Sequence, residues 1–326
     1  MQAWLCETLE GIGAMRWQTV ATPEPAAGQV RIAVKAASLN FPDLLIVEGK
    51  YQVKPPLPFV PGSEFSGTVE AVGDGVTHLK VGDVVAALGS TGGFATHAVV
   101  PAASVMPLPA GFAIEDGAAF AFTYGTSHHA LMDRGQLKPG ETVLVLGAAG
   151  GVGSAAVQIA KAAGARVIAA ASTAEKCAFC KDVLGADATI DYSKDNLRND
   201  LKALTDGKGP DVVYDPVGGE WAEPAFRSIA WRGRYLVVGF AGGGIPALPW
   251  NLALLKGAAV VGVFWGDFVR REPKAHKASM MQLAQWYAQG QIKPAIDLRL
   301  PMSELPAAYA RMGSRQVRGK LLLFNS

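Results

Sequence analysis

Residues Val143 to Gly153 read VLVLGAAGGVG: four apolar residues with strand preference run into a glycine-rich turn. The next ten, SAAVQIAKAA (Ser154 to Ala163), have helical spacing and strong helix formers. Strand, glycine turn and helix open a βαβ dinucleotide site. Glycines there let backbone N–H groups approach a pyrophosphate, and the helix N-terminus stabilises its charge. A glycine turn is a weak signal alone, so its surroundings must carry the reading.

With 326 residues, half of them hydrophobic and 18% charged, the chain reads as globular and long enough for two domains. A net charge of +2 without a long basic run gives no reason to expect nucleic acid. Apolar stretches are interrupted before reaching roughly 18 residues, so no membrane span is expected. The opening MQAWLCETLEGIG has early acids and no apolar core, unlike a signal peptide. Three cysteines (Cys6, Cys177, Cys180) make no disulfide framework and suit a reducing, cytoplasmic setting.

Short strand-like segments fill the first part: Val30 to Ala36, Gly67 to Val72, Val81 to Ala86 and Ala95 to Val100. They predict a barrel-like β domain over 1–122. From Glu141 strands and helices alternate. ETVLVLG, ARVIAAA, ATIDY, DVVYDPV and GRYLVVGF are separated by helices near Thr173 to Leu184, Asn196 to Leu204 and Ala222 to Ala230. Ala258 to Phe264 supplies a sixth strand. This alternation predicts a doubly wound parallel sheet, an α/β Rossmann domain, over 123–264. The tail, 265–326, contains a helix (Ala275 to Gln289), loop chemistry around Pro301 to Leu305 and a closing strand (Lys320 to Phe324). It is expected to return to the first domain.

Four segments give the chain a family resemblance: SLNFPDLLIVEGKY (Ser38 to Tyr51), PFVPGSEFSGTVEAVG (Pro58 to Gly73), LKPGETVLVLGAAGGVGSAAVQIAK (Leu137 to Lys161) and VRGKLLLF (Val317 to Phe324). The chain resembles the zinc-independent, zeta-crystallin-like quinone oxidoreductases of the medium-chain dehydrogenase/reductase superfamily. The resemblance implies a GroES-like domain built from both chain ends around a Rossmann domain, usually in a homodimer.

An NAD site usually places an acid about 20 residues after the glycine turn, on the ribose hydroxyls. Here the second strand ends Ala169-Ala170-Ala171-Ser172-Thr173, with no carboxylate to repel a 2′-phosphate. Lys176 then serves as a phosphate counter-charge with Ser172 as donor. Alternatively, Ser172 and Glu175 form a capping box and Lys176 is merely solvated. In the resembled family this arrangement, with a tyrosine matching Tyr192, lines the adenosine phosphate pocket, which implies NADPH. By position, Ala149, Gly150, Gly151, Val152 and Gly153 face the pyrophosphate, and Ala148 replaces the first glycine of related enzymes. Thr126, Gly239, Phe240, Val263 and Phe264 match segments around the nicotinamide, against the alternative of ordinary strand-end packing. Lys320 is counted with them and as an outside proton donor.

Zinc alcohol dehydrogenases of this superfamily carry Gly-His-Glu where this chain has Gly62-Ser63-Glu64, and a serine hydroxyl is a poor zinc ligand. Asn40 falls near the first cysteine ligand, and no cysteine lies between Cys6 and Cys177. No metal is expected. His128 and His129 diverge by about 100° on a helix and cannot chelate together. Cys177 and Cys180 read as half-buried helix residues.

Without a Lewis acid, conjugated acceptors are easier to reduce than simple ketones, because the developing charge delocalises. Quinones and enones are therefore the expected substrates. Asn40 and Tyr51 are the candidate hydrogen-bond donors, with Asp43 shaping the loop; alternatively Asn40 and Asp43 satisfy turn backbone groups and Tyr51 is a lid. An enone or enoyl-thioester (acyl-CoA) reductase shares fold and cofactor, with Arg270, Arg271, Lys274 and Lys277 as a basic entrance or as solvated charge. A cofactor-bound structural protein like zeta-crystallin is the third reading.

Overall fold

The computed structural model describes residues 1–89, 91–194 and 196–325. The chain divides into two compact units: Met1–Phe122 with Pro294–Ser326, and Thr123–Lys293.

The first unit opens with an antiparallel hairpin of β1 (Gln2–Leu5) and β2 (Arg16–Thr19). The alternating run at Val30 lies in the long β3 (Gln29–Leu39), followed by α1 (Phe41–Val47), β4 (Glu64–Val72), β5 (Val84–Leu88), β6 (His97–Pro101), β7 (Val105–Pro107) and the short α2 (Ile114–Gly117). β3 pairs antiparallel with β4 and β6; β4 pairs β5, which pairs β7. Alternate residues Val30, Ile32 and Val34 enter a core shared with Phe65, Val69, Val85 and Phe94. The run expected from Val81 begins three residues later. Gly82 takes φ +93° and Asp83 closes a turn on Lys80, which spends that stretch on reversal.

Helix α3 (Ala121–His128) continues into a π-helical turn, His129–Arg134. The second unit then alternates β8 (Thr142–Val145), α4 (Gly151–Ala162), β9 (Arg166–Ala171), α5 (Ala174–Asp182), β10 (Ala188–Asp191), α6 (Leu197–Leu204), β11 (Val212–Asp215), α7 (Ala222–Ser228), β12 (Arg234–Val237), α8 (Asn251–Lys256) and β13 (Ala259–Gly262). The six strands are parallel in the order β10-β9-β8-β11-β12-β13. Strand order reverses between β8 and β11, so a crevice opens at their carboxyl ends, where such sheets bind ligands.

Helices α9 (Trp265–Arg271) and α10 (Pro273–Ala288) correct the expected tail, because both belong to the second unit. Gly125 leaves room for the Trp265 indole; a Cβ there would stand 2.6 Å from Cζ2. The His129 ring stacks on Phe268 at 4.0 Å, and His128 Nε2 pairs with Gln282 Oε1 at 2.9 Å. The buried Gln158 amide finally accepts from Lys293 N and donates to Lys293 O. The chain therefore returns to the first unit at Pro294, not at Trp265.

The return contains β14 (Ile296–Pro301), α11 (Leu305–Gly313) and β15 (Lys320–Phe324). β15 pairs antiparallel with β3 and parallel with β14. The loop reading around Pro301 missed β14 and α11. Asp297 and Arg299 obscure the strand pattern, and Asp297 is a buried acceptor for Arg311 (3.0 Å).

Candidate active site

In the first unit, Ser38 and Asn40 at the end of β3, Glu64 at the start of β4 and Lys320 at the start of β15 meet in a buried polar network. Strand pairing brings them together, since Ser38 lies opposite Glu64 and Leu39 opposite Leu321. Glu64 Oε2 accepts from Ser38 Oγ (2.7 Å), Asn40 Nδ2 (3.1 Å) and Lys320 Nζ (3.1 Å), while Oε1 accepts from Phe122 N (2.8 Å). Lys320 Nζ also donates to Asn40 Oδ1 at 2.5 Å. Both carboxylate oxygens and the Asn40 amide are thus committed within this unit. Buried charges persist when paired and hydrogen-bonded in this way.

The segment at Asn40 is a helix N-terminus rather than a loop. Asn40 N–H donates to Asp43 Oδ2 at 2.8 Å in the first turn of α1. Burial pushes the Asp43 carboxyl up from 3.8 to about 6, partly offset by the Asn40 N–H, Ser63 and Lys320. Ser63 stands beside it, although neither Asp43 Oδ1 nor Ser63 Oγ completes a hydrogen bond. Tyr51 is half-buried against the core, and desolvation together with the Asp43 charge raises its phenol pKa.

In the second unit the glycine turn lies at the carboxyl end of β8. Gly147 has φ +58°, and a Cβ on Gly153 would stand 2.3 Å from Gly147 O, so α4 packs against its own turn. The first α-helical bond of α4 runs from Ser154 N to Gly150 O. The preceding N–H groups of Gly151, Val152 and Gly153 therefore have no partner within the helix, as an anion site requires. Ala148 and Ala149 are buried beneath the turn. At the end of β9, Lys176 Nζ donates to Ser172 Oγ at 3.3 Å. The alternative of a Ser172–Glu175 capping box is not what forms: Thr173 is the N-cap, with Oγ1 accepting from Lys176 N at 3.2 Å. Tyr192, after β10, packs against Trp221 with ring centroids 4.8 Å apart and the planes tilted by 34°. Gly239 and Phe240 fall beyond β12, which ends at Val237, and Val263 and Phe264 follow β13. Thr126 is half-buried on α3.

An alcohol dehydrogenase GroES-like domain model matches residues 26–110 and a zinc-binding dehydrogenase model matches 151–285. A quinone oxidoreductase-like protein 2 homolog of Nematostella vectensis is 38% identical over 93% of this chain and 83% of its own. The chain belongs to the quinone oxidoreductase family of the medium-chain dehydrogenase/reductases. Another member, the quinone oxidoreductase of Pseudomonas aeruginosa, is 35% identical over 92% of each chain. A mycobacterial protein solved in complex with NADPH superposes with a TM-score of 0.91 at 31% identity, covering all of both chains.

For a quinone oxidoreductase related to zinc-binding dehydrogenases, the donor set is informative. Ser63 replaces a histidine, and Glu64 is already saturated by Lys320 and three other donors. Among the described residues, no group of three or more His, Cys, Asp or Glu is placed to hold a metal ion. These residues do not fit zinc, whereas the turn, α4 and the Ser172–Lys176 pair fit a dinucleotide phosphate. Sequence reasoning missed Ser38 and the structural role of Glu64. Their only signal is a polar alternation at the junction of two apolar strands.

Proposed function

We propose that this oxidoreductase is NADPH-dependent, works without zinc, and delivers hydride to quinones or other conjugated carbonyls. The observation that carries the reading is the convergence of Ser172 and Lys176 at the end of β9, where Ala169 to Thr173 contains no carboxylate. A cation and a hydroxyl at that point favour a 2′-phosphate over a free ribose hydroxyl. The NADPH complex of the mycobacterial relative supports it.

NADPH, when bound, supplies hydride from its nicotinamide ring. The N–H groups of Gly151, Val152 and Gly153, with Ala149 and Gly150 shaping the turn before them, would hold the pyrophosphate; Ser172, Lys176 and Tyr192 would hold the adenosine phosphate. Thr126, Gly239, Phe240, Val263 and Phe264 orient the nicotinamide end. Tyr51 keeps its phenolic proton and donates a hydrogen bond from Oη to the acceptor oxygen as that oxygen gains charge. Asp43 sets the local charge beside it. Asn40 and Lys320 act by holding Glu64, which keeps this corner polar and closed to a metal. Because no Lewis acid is engaged, the acceptor must delocalise its own charge, which selects quinones and enones.

The acyl-CoA alternative draws little from the basic segment, since Arg270 and Arg271 both pair with Asp267, at 2.7 Å and 2.9 Å. The homodimer is supported by β13, which has no strand on its outer edge among the described residues, and by the exposed Trp231, Trp250, Leu254 and Leu255 in the segments leading into β12 and β13. The cytoplasmic setting rests on three free, buried cysteines.

NADPH oxidation against quinones, alkenals and acyl-CoA esters, before and after chelator dialysis, tests the assignment. Turnover highest on quinones and insensitive to the chelator is expected. Preference for acyl-CoA esters, or loss of activity restored by zinc, would replace it. Tight NADPH binding without turnover on any acceptor would favour the structural reading.

A further inference from the structure

Two loops leave the carboxyl edge of the parallel sheet side by side, residues 216–219 after β11 and 238–244 after β12. They are zipped together by Ala241 N to Pro216 O (3.0 Å), Gly242 N to Val217 O (2.8 Å) and Gly219 N to Gly244 O (2.9 Å). At their root stands Asp215, the last residue of β11 and 3% exposed. Its Oδ1 accepts from Val217 N and Gly218 N, both at 2.8 Å, and its Oδ2 accepts from Tyr235 Oη at 2.6 Å. One carboxylate thus fixes the first bend of one loop and ties it to the strand feeding the other.

The bend has little slack. Gly218 and Gly219 both take left-handed φ, +66° and +62°, and a Cβ on Gly218 would stand 2.8 Å from the Phe240 ring. Val217 in turn abuts the glycine turn, since a Cβ on Gly147 would meet its Cγ2 at 2.7 Å. The neighbouring Tyr214 pins the other side of the sheet. Its hydroxyl pairs with Ser127 Oγ (2.9 Å), which donates to Val152 O (2.8 Å) in the first turn of α4.

We infer that Asp215 is the positioning residue of the cofactor crevice, setting the 216–219 loop against the glycine turn and holding Gly239 and Phe240 in place. It acts through these loops and touches no cofactor itself. The inference rests on the dinucleotide reading of this edge. A buried carboxylate is suited to the task because its two oxygens accept from two backbone donors and one hydroxyl at once.

The test combines hydrogen exchange of the Val217 and Gly218 amides with titration of the full chain by NADPH and NADH, read from nicotinamide fluorescence. Wild type should protect both amides. Asp215→Ala should expose them while Val212 to Tyr214 stay protected, and weaken the preferred cofactor at least about tenfold. Asp215→Asn keeps one acceptor oxygen for the two N–H groups and should stay within about threefold of wild type. Should Asp215→Ala not fold, Asp215→Asn and Tyr235→Phe decide: protected loop amides with near-normal affinity in the first, and a loss of several-fold in the second, uphold the role. Wild-type affinity in Asp215→Ala, unchanged protection of Val217 and Gly218, or equal losses in the Asn and Ala variants overturn it. A wild type that binds neither cofactor, with its loop amides protected, fails the cofactor reading instead and removes the crevice role with it.

Discussion

Lys320 Nζ lies 3.1 Å from Glu64 Oε2, and both side chains are almost wholly buried, at 4% and 1% exposure. The pair joins the last strand of the chain to β4, 256 residues earlier in sequence. Removing one partner strands the other charge in a low-dielectric interior, at a cost of about 3–5 kcal/mol. Lys320→Met should therefore lower the unfolding free energy by that amount in urea titrations. The double variant Glu64→Gln with Lys320→Met should recover most of it. A single variant within about 1 kcal/mol of wild type would show that the pair is unimportant to the fold.

Burial of Asp43 should make stability depend on pH. Its folded carboxyl sits at about 6 against an ordinary 3.8, so the native state binds the proton more tightly than the unfolded chain. Its contribution to stability is largest in acid, falls as pH rises between about pH 4 and about pH 6, and is level above that. The fall amounts to about 3 kcal/mol. Asp43→Asn keeps the acceptor for Asn40 N–H and should remove this slope, leaving the variant more stable than wild type at pH 7. Parallel stability curves for the two proteins from pH 4 to pH 7 would rule the mechanism out.

Two glycines of the turn should separate folding from binding. A Cβ on Gly153 would press on backbone, 2.3 Å from Gly147 O and 2.8 Å from Ala148 Cα. Gly153→Ala should cost at least about 1–3 kcal/mol of stability, the usual range for overpacking. At Gly150 the nearest atom would be 3.4 Å away and φ is −78°, so alanine fits the fold. On the proposed dinucleotide reading, its methyl group would instead crowd the pyrophosphate held at this turn. Gly150→Ala should keep the melting temperature and weaken NADPH about tenfold or more; thermal melts with cofactor titration check both.

Much of the second unit is legible in the sequence, because a parallel sheet covered on both faces writes long apolar runs separated by helical ones. VLV (Val143 to Val145), RVIAAA and VVYD fall on strands, and the glycine turn follows directly after the first of them. Legibility fails where polar residues do structural work. β14 hides behind Asp297 and Arg299, and Glu64 looks like the remnant of a metal motif although it is the acceptor at the centre of a network spanning most of the chain. The cap at α5 slips by one residue because Ser172 and Thr173 are equally good caps on paper; Thr173 takes the role and leaves Ser172 to meet Lys176. No local pattern announces contacts such as that of Gln158 with Lys293, 135 residues apart.

The Ser172–Lys176 pair should be read directly by cofactor discrimination. A charge-assisted hydrogen bond contributes about 1.5–3 kcal/mol, equivalent to about a ten- to hundredfold change in affinity. Lys176→Ala should raise KM for NADPH by about that factor while leaving KM for NADH near its wild-type value. Equal rises for both cofactors would mean that Lys176 supports the fold rather than the phosphate.

The most direct measurement is kcat/KM for a quinone with saturating NADPH and with saturating NADH, on wild-type protein dialysed against a zinc chelator. Turnover with NADPH at least about tenfold above NADH, unchanged by the chelator or by added zinc, is the predicted result. Equal use of both cofactors, or activity that disappears with the chelator and returns with zinc, would contradict it.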